Sequence, residues 1–214
     1  MKGDVIIVEE HHRRASAIIA ERLAAEVRGR HRRTTVSVAG ESGSGKSEMG
    51  QALVEAFAAL GIPGVVLGQD DYFVLAPKSN DRARREDISN VGPHEVRLDV
   101  LDAHLAAALA GASEIQKPLV MYAEDTIEDE TISLEAARVV VAEGTYTTLL
   151  ANIDIRVFIA RNRLETMGAR ARRAREPVDP FIEEVLKIEH GIISAHRAQA
   201  DVILSRDYEV EFVR

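Results

Sequence analysis

The stretch "GESGSGKS", Gly40 to Ser47, decides how the rest of this chain is read. It fits the pattern G-x-x-x-x-G-K-[ST]. It stands between "TTVSVAG", Thr34 to Gly40, which reads as a strand, and "SEMGQALVEAFAALG", which reads as a helix stopped at Gly61. Each residue type has a physical task in that setting. Glycines at 40, 43 and 45 let the backbone curl so that successive N–H groups converge on phosphate oxygens. The following helix adds its unpaired donors and the positive end of its dipole. Ser42, Ser44 and Glu48 complete the nucleotide-binding stretch. Lys46 is placed to reach the β- and γ-phosphates, and Ser47 to ligate Mg²⁺. Such a cradle could belong to a GTPase, an ATPase motor, a switch or a small-molecule kinase.

Outward from this loop, short apolar runs alternate with helical patterns. "PGVVLGQD" is reached through the turn at Pro63 and Gly64, and "RVVVAEG" (138–144), "IDIRVFIA" (153–160) and "ADVILS" (200–205) follow. Strands apolar on both faces and separated by helices indicate an α/β domain whose parallel sheet is covered on both sides. Ahead of the loop, "RASAIIAERLAAEVRG" places Ile18, Ile19, Leu23 and Val27 near one helical face. No linker divides the chain, so residues 1–214 read as one domain with residues 1–33 as an N-terminal strand and helix extension.

Composition narrows the function classes. The 214 residues are 46% hydrophobic and 29% charged, ordinary globular usage. A formal net charge of -8 argues against a protein whose main partner is nucleic acid or an anionic membrane. There is no cysteine, which suits a cytoplasmic protein, and the first apolar run, Val5 to Val8, is too short for a signal-peptide core or a membrane span. The histidines at 11, 12, 31, 104, 190 and 196 show no zinc-ligand spacing, so no structural metal is expected.

Open α/β sheets bind ligands beyond the carboxyl ends of their strands, so the residues that follow each apolar run are the candidates. Asp70 and Asp71 follow the second strand, and Glu143 follows "RVVVA". A carboxylate in that position fits the task of holding Mg²⁺ or its water shell.

Taken together, "GESGSGKS", "GQDDYF", "VVVAEGTY", the arginine-rich "RARRAR" (Arg170 to Arg175) and "ADVILSRD" resemble the uridine kinase and phosphoribulokinase-like group in order and spacing. Fructose-transport-type and pantothenate kinases belong to that group. The resemblance implies a P-loop NTPase three-layer sandwich, with a mostly parallel five-stranded sheet and an arginine-rich helical lid at about residues 161–190. It implies ATP and Mg²⁺, with Asp70 as the general base that also helps organise the metal. Asp71 then faces solvent or a backbone N–H, while Tyr72 and Phe73 line the acceptor pocket. Arg170 and Arg173, three apart on the lid, would close on the triphosphate, although a charge run of this kind also reads as a solvated helix face.

The acceptor region departs from the uridine kinase pattern. In "NVGPHEVRLD" and "MYAEDTIEDE", Asn90 and Tyr122 match, but Gly92 stands where a ribose-binding aspartate is expected. Glu124 replaces a phenylalanine, no histidine follows, and "ARNRLETM" lacks the usual D-x-R. Uridine is therefore not the expected acceptor. A neutral polyol, sugar or other small hydroxyl compound is, with His94 and Tyr122 as further pocket candidates. The acidic run from Glu124 to Glu130 reads as a solvated loop, or as a wall that would repel an anionic acceptor. The other class of reading is a nucleotide-dependent regulatory protein, although a guanine-reading N-K-x-D is absent. Residues 1–33 leave room for a homo-oligomer.

Overall fold

The computed structural model describes residues 1–3, 5–161 and 179–214. A twisted sheet runs in the order β2-β5-β1-β6-β7-β8. Its strands are β1 (Thr34–Gly40), β2 (Gly64–Gly68), β5 (Val139–Glu143), β6 (Ile155–Ile159), β7 (Val202–Leu204) and β8 (Val210–Phe212). The first five are parallel and β8 is antiparallel to β7, so the expected five-stranded parallel sheet gains one reversed edge strand. A separate antiparallel hairpin joins β3 (Glu114–Met121) to β4 (Thr126–Ser133).

The alternation of the buried strands explains the two covering layers. Val36, Val38, Val139, Val141 and Val157 point to one face, where they meet α1 (Glu10–Gly29) and α2 (Lys46–Ala59) through Ile19, Leu23, Val27, Leu53 and Phe57. Ala39, Val140, Ala142 and Phe158 point to the other, against Leu101 and Leu105 of α4 (Leu98–Leu109) and Ile193 of α5 (Pro180–Ile193). Strands so placed are buried on both faces, which is why they are near-continuous apolar runs.

Residues 10–29 form a helix that packs on α2, so the N-terminal extension covers this chain's own core. Within it, Ile19, Leu23 and Val27 are buried with Ala15, whereas Ile18 is 42% exposed. The buried stripe follows a spacing of four, and Ile18 lies about 100° round the helix from it. No helix among the described residues is long and apolar enough to cross a membrane.

The acidic run begins in the turn, with Glu124 and Asp125, but its later acids lie in strand β4 rather than in a loop. Glu128, Asp129 and Glu130 pair with Leu119, Pro118 and Lys117 in the β3–β4 ladder, and β4 keeps its charged side chains mostly to solvent. Cross-strand pairing holds them in place: Lys117 Nζ lies 2.7 Å from Glu130 and 2.7 Å from Asp71. Asp71 is thus buried, bound also to the Val120 N–H at 3.0 Å and to the Met1 ammonium at 3.1 Å. It staples the hairpin to the end of β2. Asp71→Asn leaves a buried ammonium with less compensation, and we expect it to cost about 2–3 kcal/mol in urea unfolding, somewhat below a fully broken buried pair because Glu130 remains.

Candidate active site

The site lies where the sheet order reverses at β1, beyond the carboxyl ends of β1, β2 and β5. Register fixes its geometry. Glu143 pairs with Val38 on one side and with Gly68 on the other, so β5 and β2 end side by side, level with a point two residues before the end of β1.

Between β1 and α2 the chain makes the predicted tight loop. Gly43 and Gly45 adopt φ of 78° and 94°, a region that side chains with a Cβ rarely enter. Gly45 is the N-cap of α2 and has no side chain of its own to cap that helix end, the end of the dipole that attracts an anion. Lys46 Nζ is 3.0 Å from the Glu41 carbonyl, folded back across the loop. Ser42 Oγ donates to Glu189 at 2.7 Å, and Glu48 is buried in the first turn of α2.

Ser47 Oγ donates to Glu143 at 3.2 Å. Glu143 is 8% exposed, and burial together with the neighbouring charge of Asp70 pushes its pKa up to about 7 against the pull of Lys46 and Ser47. Asp70 itself is exposed on the short 3-10 turn Gln69–Tyr72. Its place is set by Gln69, which is buried against Gly144 and accepts the Tyr146 N–H at 2.7 Å. A Cβ on Gly144 would come within 2.2 Å of the Gln69 side chain, so a glycine after Glu143 lets the two strand ends close up.

On the acceptor side, residues 72–74 run against 95–97, with Val74 N–H donating to Glu95 O and Arg97 N–H to Tyr72 O, both at 2.8 Å. Helix α3 (Pro77–Glu86) sends Asn80 and Arg84 to the Glu95 carboxylate, which also accepts the Gly92 N–H at 2.7 Å. Arg84 reaches on to Glu189 at 3.8 Å, and Glu189 is bound to Ser42. This buried network links α3, the 93–95 turn and α5 to the phosphate loop. Burial raises the pKa of Glu189, and Arg84 and Ser42 oppose the shift. Apart from Ser42, which belongs to the phosphate-loop motif, the residues of this network carried no motif signal in the sequence.

The other expected site residues are spread. His94 is exposed beside Gly92, and Asn90 donates to the Ala83 carbonyl at 2.9 Å. Tyr122 is 36% exposed near the hairpin turn. Tyr72, expected to line the acceptor pocket, has no accessible surface. Its ring fills the core behind the site and its hydroxyl meets His104 Nδ1 at 3.0 Å. Phe73, the other aromatic, is partly buried, and the Arg84 guanidinium lies 5.9 Å from its ring centre. Arg170 and Arg173 lie outside the described residues.

The sequence profile of the Phosphoribulokinase / Uridine kinase family matches residues 35–162. The chain belongs to this family. Its members are phosphotransferases that act on small molecules, and the strand-end acids and phosphate loop described above fall within the matched residues. The chain is similar to the bifunctional alpha-galactosidase/sucrose kinase AgaSK of Mediterraneibacter gnavus, 28% identical over 192 residues, 83% of this chain. It spans only 20% of that protein's length. It is also similar to a uridine kinase of Bacillus cereus, 25% identical over 82% of this chain and 87% of the relative. In fold it matches the D-glycerate 3-kinase of Cryptococcus neoformans, with a TM-score of 0.62 at 14% identity over 94% of this chain and 98% of the other.

The raised pKa of Glu143 has a thermodynamic consequence. Between about pH 4.5 and 7 the folded, ligand-free protein binds a proton that the unfolded chain has released, so stability falls as pH rises through that window. Glu143→Gln removes this component, and the melting temperature of the variant should fall less than that of the parent between pH 5 and pH 8.

Proposed function

We propose that the chain transfers the γ-phosphoryl group of ATP, with Mg²⁺, to a hydroxyl of a neutral polyhydroxy compound of the sugar or polyol class. The observation that carries the reading is the convergence of Ser47, Glu143 and Asp70 beside the N-terminus of α2. A hydroxyl and two carboxylates are the donor set of a small hard cation, and a buried acid beside a second acid favours one. When bound, Mg²⁺ neutralises charge on the β- and γ-phosphate oxygens.

The chain's own residues would do the rest. Donors of the Gly40–Ser47 loop bind the phosphates, and Lys46 exchanges the Glu41 carbonyl for them. Asp70, exposed at the end of β2, accepts the proton of the acceptor hydroxyl as its oxygen bonds to phosphorus and the bond to ADP breaks. Arg170 and Arg173 supply further positive charge to the triphosphate in this reading.

The acceptor class rests on two things. Gly92 occupies the place expected for a ribose-binding aspartate, and the first relative above carries a sugar kinase in its name. Asn90, His94 and Tyr122 are the proposed acceptor contacts, and they are polar groups suited to hydroxyls. The reaction fits a cytoplasmic enzyme with no need of nucleic acid or membrane.

Asp70→Asn tests the central role. It keeps the shape of the side chain and removes its basicity, so ATP affinity should stay within about threefold while turnover falls by about 10²- to 10⁴-fold. Nucleotide binding and product formation measured on the same preparation check this, and full turnover by the variant would remove the assignment.

A further inference from the structure

We propose that Tyr208 and His12 are positioning residues that hold the phosphate loop in its donor-inward form, so that α1 is a working part of the nucleotide site. This rests on the reading that the Gly40–Ser47 loop binds nucleotide phosphates.

A trans peptide points its C=O and the next N–H in opposite directions. A group that holds the Ser44 carbonyl therefore turns the Gly45 N–H to the opposite side, away from itself. Tyr208 does this: its hydroxyl donates to the Ser44 carbonyl. Contact behind the loop is close, because a Cβ on Gly45 would lie 2.0 Å from Tyr208 Oη and 3.0 Å from His12 Nε2.

Tyr208 reaches this position at φ 61°, in the turn between β7 and β8. A bulky residue in the left-handed region costs on the order of 1–3 kcal/mol and persists only where its surroundings compel it. Here the Tyr208 N–H donates to Ser205 O at 3.0 Å, while the ring, 2% exposed, packs against His11 and His12.

His12 sets the direction of the hydroxyl. Its Nδ1 accepts the Glu9 N–H at 3.1 Å, so the neutral ring carries its proton on Nε2. Nε2 is 3.1 Å from Tyr208 Oη and donates to it, which leaves the phenol's own proton for Ser44. Three hydrogen bonds thus run in one direction, from the first turn of α1 to the phosphate loop. Glu9, His11 and His12 also bring three potential metal-ligand atoms within 4.8 Å of one another, but both nitrogens of His12 serve this chain of bonds. Both His12 and Tyr208 lie outside residues 35–162, the stretch that the family profile matches.

The test compares dissociation constants for Mg-ATP and for Mg-tripolyphosphate, which has no base or sugar, in the intact protein and in Tyr208→Phe, His12→Phe and His12→Gln. Tyr208→Phe removes one oxygen. It should weaken both ligands by the same factor, roughly five- to tenfold, the span of one hydrogen bond. His12→Phe should act in the same direction, and His12→Gln, whose amide can donate from the Nε2 position, should restore affinity to within about twofold of the parent. These paired histidine variants give the answer without touching the strained turn, and a merely structural role would lower the melting temperature without this rescue. Affinities within twofold of the parent in both phenylalanine variants would overturn the proposal. So would a loss for ATP with tripolyphosphate unchanged, because the contact would then serve the base. If the intact protein bound neither ligand, the phosphate-loop reading would fall, and this inference with it.

Discussion

A buried carboxylate whose neighbour is another carboxylate is an unfavourable thing to fold, and this site is organised around one. Glu143 sits at the end of the central strand pair with Asp70 beside it, and the Ser47 hydroxyl, the loop lysine and the N-terminal ammonium offset the charge in part. Nothing in the core requires that arrangement. It is imposed by parallel pairing of β2, β5 and β1, whose register brings Gly68, Glu143 and Val38 level, and by the packing of Gln69 on Gly144. The sheet therefore stores an electrostatic demand at its carboxyl edge that a cation and a triphosphate would meet.

Around that demand the loop is fixed from two directions. Helix α1 and the β7–β8 turn press on its back through His12 and Tyr208. On the acceptor side, Glu189 takes the Ser42 hydroxyl and meets Arg84, which is itself held by Glu95. An anion cradle works by presenting donors that need no rearrangement when charge develops, and supports on both sides of a glycine-rich loop serve that end. Helix α1 is packed along α2, the helix whose N-terminus faces the proposed phosphates.

The phosphate loop, the five parallel strands and the acids at their ends were legible in the sequence because each rests on local chemistry: glycine spacing, apolar runs, a charge that stops a run. Asp71 does meet a backbone N–H, one of the two expected outcomes, but its burial and ion pair were not legible, since nothing local distinguishes it from Asp70. Its burial depends on Lys117, 46 residues away. The β3–β4 hairpin was missed because a strand with one solvated face can carry as many acids as a loop, and its partner decides. Tyr72 was placed in a pocket by its neighbours in sequence, whereas the space between the 69–72 turn, α4 and β3 claims its ring. Tyr208 gave no signal at all, because a tyrosine in a left-handed turn has no sequence signature of the kind a glycine has.

The most direct test of the account is to incubate the protein with ATP and Mg²⁺ against a panel of sugars, polyols, nucleosides and hydroxy acids and to weigh the products. The account predicts one phosphoryl group gained by a neutral sugar or polyol, with ADP formed in equal amount. Phosphorylation of a nucleoside in preference to every sugar and polyol would contradict the acceptor class, and tight ATP binding with no acceptor phosphorylated would contradict the account of the site as a kinase.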